Sequence, residues 1–529
     1  MMETKDSVIN QQLAGKHILI TGCTGFLGKV LLEKLLRTNP DIGGIHLLVR
    51  GSQKYSSIRE RFEAEIQSST VFNYLRTDDA AAFDDLCDEK VHVVAGEITQ
   101  PKFGMSDDEY QALADKLDMI VNSAASVNFR EELDKALTIN TLCLKNIIEL
   151  SQAGNDIPVV QISTCYVHGF NTGDIYEETK APAGRSFPRN EMGQYLIDST
   201  VQKLQKKITK VKEKAKSKEQ LSEMLVNLGI EEAHKYGWND TYTFTKWMGE
   251  QLLIKELYNK SLSIVRPAII ESTLLGPQPG WIEGVKVADA IIFAYARGKI
   301  AMFPGDSNGV IDIIPADLVA NSIVLAMAKT FKTPNQCHIY QSCSSGSNPA
   351  RIGQLRDYMV DEGTANYEAY PKLFKGKRPA DFFPLAPQAA FDNALKAVQL
   401  PLDVAQRAKS ILGLHDEKMD FHKNIDTAAK LSTVFAFYAQ PKYKFHNGKL
   451  LALAEELGVA GDEDYAVDPK LIDWKHYFTK VHMAGLEQYA LIDKKAGASA
   501  TTEKKPSTAK VKSLRSGKSQ TETSAKKAS

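Results

Sequence analysis

Up to about residue 265 the chain repeats one pattern: a short apolar run, a polar turn, then apolar residues at helical spacing. The runs are His17–Ile20, Ile45–Val49, Val91–Val94, Met119–Val121, Pro158–Ile162 and Leu262–Val265. Strands that alternate with helices in this way predict an α/β fold, a parallel, doubly wound sheet covered on both faces. In such sheets ligands collect beyond the carboxyl ends of the strands. The pattern then changes. A polar helical segment is expected between about Tyr195 and Tyr236, inside a stretch of about 173–237 that reads as an insertion over the ligand cleft. From Pro349 onward the chain becomes mainly helical, with Pro and charged connectors.

Composition bounds the size of the structure. With 529 residues, 43% hydrophobic and 25% charged, the chain can bury a sizeable core and is expected to form two domains, over 14–345 and 346–493. Net charge is zero, but residues 494–529 hold ten Lys or Arg against two Glu, a local charge of +8. Rich in Ser, Thr, Ala and Lys, that segment cannot build a core and reads as a disordered basic tail. A solubilising role is the simpler reading of the tail than attraction to nucleic acid or anionic membranes, and no nucleic-acid partner is expected. A solvated helix face is likewise the simpler reading of the lysine-rich stretch Lys203–Lys218. No apolar run approaches the roughly 18 residues of a membrane span, and Met1–Gly15 lacks a signal-peptide core. The six cysteines form neither a CxxC pair nor a dense framework, so reduced thiols in the cytoplasm, and no metal centre, are expected.

Chemistry enters at the first strand end. Thr21-Gly22-Cys23-Thr24-Gly25-Phe26-Leu27-Gly28 lies between an apolar strand and a helix with Val30, Leu31, Leu32, Leu35 and Leu36 on its inner side. Glycines there let the backbone turn tightly and approach a pyrophosphate, while the helix N-terminus offers free N–H groups and the positive end of its dipole. Where an NAD site usually has an acidic residue after the second strand, this chain has Arg50, then Gly51 and Ser52. A guanidinium suits a 2′-phosphate, so NADPH is the expected cofactor, with Arg50 as its main contact and Ser52 beside it.

Tyr242 and Lys246 stand four apart on a helix and therefore share a face. A phenol ordinarily titrates near 10; a neighbouring ammonium is expected to lower it, fitting Tyr242 to protonate an oxygen that receives a hydride. Thr164, at the end of the fifth strand, is expected to bind the same oxygen, with Ser163 as its competitor for the role. Cys165 raises a covalent alternative through a thiolate, but nothing near it in sequence would activate the thiol.

Together these residues resemble the extended short-chain dehydrogenase/reductase superfamily: Thr21-Gly-x-x-Gly-x-x-Gly28, Asn122-x-Ala-Ala125, Asn140, Ser163-Thr164, Tyr242-x-x-x-Lys246 and Arg266-Pro267. The longer segments Phe129–Asn140, Pro279–Gly284, Asp473–Tyr477 and His482–Leu486 resemble bacterial-type alcohol-forming fatty acyl-CoA reductases, over about residues 14–492. The resemblance implies a Rossmann-type reductase domain followed by a smaller, mainly helical C-terminal domain. It implies reduction of a long-chain acyl-CoA by NADPH to fatty aldehyde and then to primary alcohol, as in wax ester and lipid metabolism, with peripheral membrane contact left open. It also implies that Lys246 holds the nicotinamide ribose. The expected cofactor contacts are Thr21, Gly22, Thr24, Gly25, Phe26, Leu27, Gly28, Arg50, Ser52, Glu97, Ile98, Ser123, Ala124, Ala125, Asn140, Tyr242, Lys246 and Pro267. Trp281, Ile282, Ile291, Ile292, Phe293 and Tyr295 are candidates for an apolar groove, with ordinary core packing an equal reading of each. Two alternatives stay open: a thioester reductase that stops at aldehyde, and an NADP(H)-binding sensor without turnover. A sensor would have been free to lose Tyr242 or Lys246, and both are present. Chain-length preference and oligomeric state are not legible.

Overall fold

The computed structural model describes residues 7–286, 288–393 and 437–491. All six apolar runs are strands: β1 His17–Thr21, β2 Gly44–Val49, β3 Val91–Ala95, β4 Met119–Asn122, β5 Val159–Ile162 and β6 Leu262–Pro267. A seventh, β7 Cys337–Ser342, was not expected; His338, Gln341 and Ser342 break its sequence, so it makes no apolar run. The seven form one parallel sheet in the order β7-β6-β5-β4-β1-β2-β3. That order reverses between β1 and β4, the switch point at which such sheets open a ligand crevice. β2, β4, β5 and β6 are buried along their whole length, as a sheet covered on both faces requires.

Helices cover the faces. α1 (Phe26–Thr38) buries Val30, Leu31, Leu32, Leu35 and Leu36 in the core shared with β1 and β2. α2 (Leu144–Ala153) follows a single π-helical turn, Thr138–Leu142. The expected polar helical segment is two helices, α3 (Asp198–Lys214) and α4 (Lys218–Tyr236); Ala215 turns extended and Ser217 caps the second helix by accepting from Gln220 N. Lys203, Lys206, Lys210 and Lys214 on α3 are exposed, in keeping with a solvated face.

α5 (Thr241–Glu256) begins at Asp240, whose carboxylate accepts from Thr243 N at 2.8 Å. Twelve of its sixteen residues are buried, so the Tyr242–Lys246 face is an interior one. α6 (Ala316–Lys332) packs against α1 and the same side of the sheet.

The C-terminal residues are knitted into this frame. A short strand, Tyr443–Phe445, pairs in parallel with Gly173–Ile175 from the insertion. The buried Glu177 carboxylate accepts from Gln341 N at 3.0 Å and from Leu450 N at 3.1 Å, joining β7 to the start of the helix Gly448–Glu456. His482 places Nδ1 3.0 Å from Ser272 Oγ and Nε2 3.0 Å from Asp289 Oδ1, while Tyr477 donates to Ser272 O at 2.7 Å. The segments Asp473–Tyr477 and His482–Leu486 therefore dock the C-terminal residues onto the stretch after β6. Residues through Leu491 make up one unit; the tail 494–529 lies outside the described residues. No helix among the described residues is long and apolar enough to cross a membrane.

Candidate active site

A cleft of about 990 Å³ opens over the carboxyl ends of β1, β2, β4 and β5. Its floor is the glycine turn. Gly22 has φ +73°, and a Cβ there would sit 2.7 Å from Ala124 N; a Cβ on Gly28 would sit 2.5 Å from Gly22 O. Both contacts are closer than side chains tolerate, so only glycine permits this turn and the open cradle above it. Thr21 closes the turn from below: its Oγ1 donates to Asn122 Oδ1 at 2.5 Å and accepts from Ala124 N at 3.2 Å, and Asn122 donates on to Gln161 Oε1 at 2.8 Å. This buried chain aligns the ends of β1, β4 and β5. Cys23 points the other way, toward Leu48 O, its thiol pushed up to about 12 by burial.

Thr21, Gly22, Thr24, Gly25, Phe26, Leu27, Gly28, Arg50, Glu97, Ile98, Ser123, Ala124, Ala125, Ser163, Thr164, Tyr242, Lys246 and Pro267 all line the cleft. Ser52 and Asn140 do not. Ser52 sits on the exposed turn after β2 and accepts from Lys54 N at 3.3 Å. Asn140 is buried in the π turn, accepts from Ser126 N at 2.9 Å and donates to Thr245 Oγ1 at 3.0 Å. It thus ties the loop after β4 to α5 and acts on the cleft through both. Sequence reasoning missed Arg61, which lines the cleft beside Arg50 and donates to Arg50 O at 2.8 Å. The available signal was the Ser57 cap, which starts the short helix, Ile58–Phe62, that carries Arg61.

At the other end of the cleft, α5 lies along the end of β5. Lys246 Nζ donates to Ile162 O at 2.8 Å, and burial pushes the amine down to about 8. Tyr242 lies beside the Thr164 hydroxyl, whose Oγ1 accepts from Tyr166 N and donates to Pro267 O, each at 3.3 Å. The Tyr242 phenol is raised, first by burial and then by the Asp240 carboxylate, with Thr164 opposing. That direction differs from the expected lowering by Lys246, because the ammonium is turned to the strand carbonyl. A raised phenol remains protonated at neutral pH, the form that donates a proton. Ser163 Oγ is buried and has no protein partner.

The Cys165 thiol is buried, faces Arg266 O at 2.9 Å and is raised by desolvation, all adverse to a nucleophile. Arg266 itself is held by Glu250 through bonds of 2.9 and 2.6 Å. Trp281, Ile282, Ile292, Phe293 and Tyr295 are buried in core clusters, and none of the six groove candidates lines the cleft; the apolar wall is made instead by Val127, Phe129, Ile269, Ile270 and Val285. They failed as candidates because one apolar stretch serves core and groove equally well in sequence.

The glycine cradle, the orphaned Ser163 hydroxyl and the Tyr–Lys–Thr set fit a nicotinamide dinucleotide, and the fold and site together define a Rossmann-type, nicotinamide-dependent oxidoreductase. The chain matches an NAD-binding family model described as "Male sterility protein" over residues 20–323, and a second, "Sterile", with the same description over 404–493. It is 30% identical over 497 residues to "Fatty acyl-CoA reductase 2, chloroplastic" of Arabidopsis thaliana, covering 90% of this chain and 79% of that one. It is 29% identical over 506 residues to "Alcohol-forming fatty acyl-CoA reductase" of Simmondsia chinensis, covering 93% and 100%. The reductase domain of a nonribosomal peptide synthetase from Mycobacterium tuberculosis shares the fold, with a TM-score of 0.54, 16% identity and coverage of 90% and 95%. The protein belongs to the fatty acyl-CoA reductase family. The relatives named are plant enzymes, so the family stands without the bacterial subtype.

Proposed function

We propose that this protein reduces long-chain fatty acyl-CoA to the primary alcohol by way of the aldehyde, using NADPH, and accepts free fatty aldehyde as well. The observation that carries the reading is the meeting of Tyr242, Lys246 and Thr164 at one end of a cleft floored by Gly22 and Gly28. When bound, the reduced nicotinamide supplies the hydride. Thr164 and Tyr242 receive the substrate carbonyl oxygen and hold the charge that develops on it. In the first round the tetrahedral hemithioacetal collapses, the C–S bond breaks and coenzyme A leaves as thiolate. In the second round the aldehyde oxygen takes its proton from Tyr242, which is refilled from solvent. Lys246, already fixed on Ile162 O, has donors left for a ribose hydroxyl.

Arg50 and Arg61 at the far end support a 2′-phosphate, and hence NADPH. The wall of Val127, Phe129, Ile269, Ile270 and Val285 suits an acyl chain, and Lys135, Lys212 and Lys286 on the same cleft suit the phosphates of coenzyme A. A lipid substrate fits a cytoplasmic protein that touches a membrane surface peripherally. The test is product analysis by mass after incubation with palmitoyl-CoA and excess NADPH. Hexadecanol is expected; aldehyde alone, with no reduction of added aldehyde, would overturn the alcohol-forming reading.

A further inference from the structure

Three histidines from three adjacent strands converge below the carboxyl ends that carry the cleft, and none of them lines it. His17 opens β1, His46 lies on β2, and His92 pairs with His46 in register on β3, the edge strand of the sheet. His17 is paired with Gly44, which shares a face of β2 with His46 because the two are two residues apart. The missing side chain is what admits the third ring: a Cβ on Gly44 would sit 2.7 Å from His17 Nδ1 and 3.0 Å from His92 Cδ2. His17 Nδ1 and His46 Nε2 are 3.2 Å apart, and one nitrogen from each of the three rings lies within 4.8 Å of the others.

We propose that His17, His46 and His92 form a binding site for a borderline divalent cation of the Zn²⁺ type, three imidazole nitrogens leaving the fourth position to water. The geometry fits. Tetrahedral Zn²⁺ with Zn–N bonds of about 2.0–2.1 Å needs nitrogens about 3.3–3.4 Å apart, close to the 3.2 Å between His17 and His46. The chemistry fits as well, since neutral imidazole is the ligating form. Partly exposed His92, on the edge strand, leaves a path from solvent. Asp118, which accepts from His17 N at 2.8 Å and from Lys16 Nζ at 3.1 Å, fixes the start of β1 beneath the ring. β1 reaches the cleft only at its other end, Thr21, so a cation here braces the amino-terminal edge of the sheet and takes no part in hydride transfer.

The test uses the full chain without a histidine tag. Equilibrium dialysis against micromolar Zn²⁺, and titration with Co²⁺ followed in the visible, should give one ion per chain, the strong bands of a tetrahedral centre and a melting midpoint that rises with Zn²⁺. His46→Ala and His92→Gln should each weaken binding at least tenfold, and His92→Gln, at the sheet edge, should leave NADPH oxidation unchanged. No saturable uptake would mean that His17 and His46 share only a hydrogen bond; uptake that is the same in both variants would place the ion elsewhere. Either result overturns the proposal.

Discussion

Lys246 donates to the carbonyl of Ile162, two residues before Thr164, while Tyr242 meets the Thr164 hydroxyl one helical turn away. The match is metric. Two residues of strand span about 6.6 Å and four residues of helix about 6.0 Å, so β5 and α5, running in opposite senses, bring both pairs into register. The spacing of four is thereby a fit to a strand end as well as a shared helix face.

Tyr242→Phe should lower kcat for palmitoyl-CoA by about 10²–10⁴-fold, while NADPH still binds with near wild-type affinity. Steady-state rates and a fluorescence titration with NADPH separate the two effects. Cys165→Ala should keep acyl-CoA turnover, since its thiol is buried against Arg266 O; loss of activity in that variant would revive the covalent route.

Lys246 makes stability depend on pH. Its amine is lowered from 10.5 to about 8 by burial, so between those values the unfolded chain binds more protons than the folded one. The cost of burying the ammonium is full below about 8 and is lifted as pH rises from 8 toward 10.5. Relative to Lys246→Met, the wild type should therefore gain stability across that window, by about 3 kcal/mol from the size of the shift. Urea midpoints at pH 7, 8.5 and 10 would reveal it, and a difference that does not move with pH would contradict the buried-amine account.

Arg50 and Arg61 should set the choice between NADPH and NADH. Replacing each in turn by Ala removes a charged hydrogen-bond donor, an effect of about 1.5–3 kcal/mol, so the ratio of kcat/KM for the two cofactors should fall about 10–100-fold. Arg61→Ala should act even though Arg50 remains. An unchanged ratio in both variants would assign the 2′-phosphate to other residues.

Glu250→Gln should unfold the protein more readily without touching the cleft. The carboxylate is 1% exposed and holds both Nε and a terminal nitrogen of Arg266. Removing one partner of a buried pair costs about 3–5 kcal/mol because the other charge is left alone. Thermal melts should show a clear drop, and cofactor affinity measured below the transition should hold.

What could be read from sequence followed the physics of each feature. β1 to β6 and the glycine turn were legible because an apolar run and a Gly-x-x-Gly-x-x-Gly each have few structural alternatives. β7 was not, since His338 and Tyr340 interrupt the apolar signal that its neighbour β6 supplies by pairing. Arg61 lay within a short helix whose direction no periodicity encodes. The Tyr242 shift went the opposite way because it follows the burial of the phenol first and then Asp240, the cap of its own helix. Spacing along a chain carries neither. The groove candidates failed for a related reason: apolar residues report burial, and a core buries better than a cleft.

The pairing of Gly173–Ile175 with Tyr443–Phe445 has a consequence for how the gene can be divided. A chain stopped at residue 345 would leave the inner strand of the insertion without a neighbour and Glu177 without its partners from the helix Gly448–Glu456. Glu177 would keep only Gln341 N among those donors, and Ile175, buried in one core with Tyr443 and Phe445, would be bared to water. The first 345 residues, though they hold every candidate catalytic group, are therefore not a separable enzyme, and truncation or domain exchange at that boundary should yield aggregate rather than a smaller reductase.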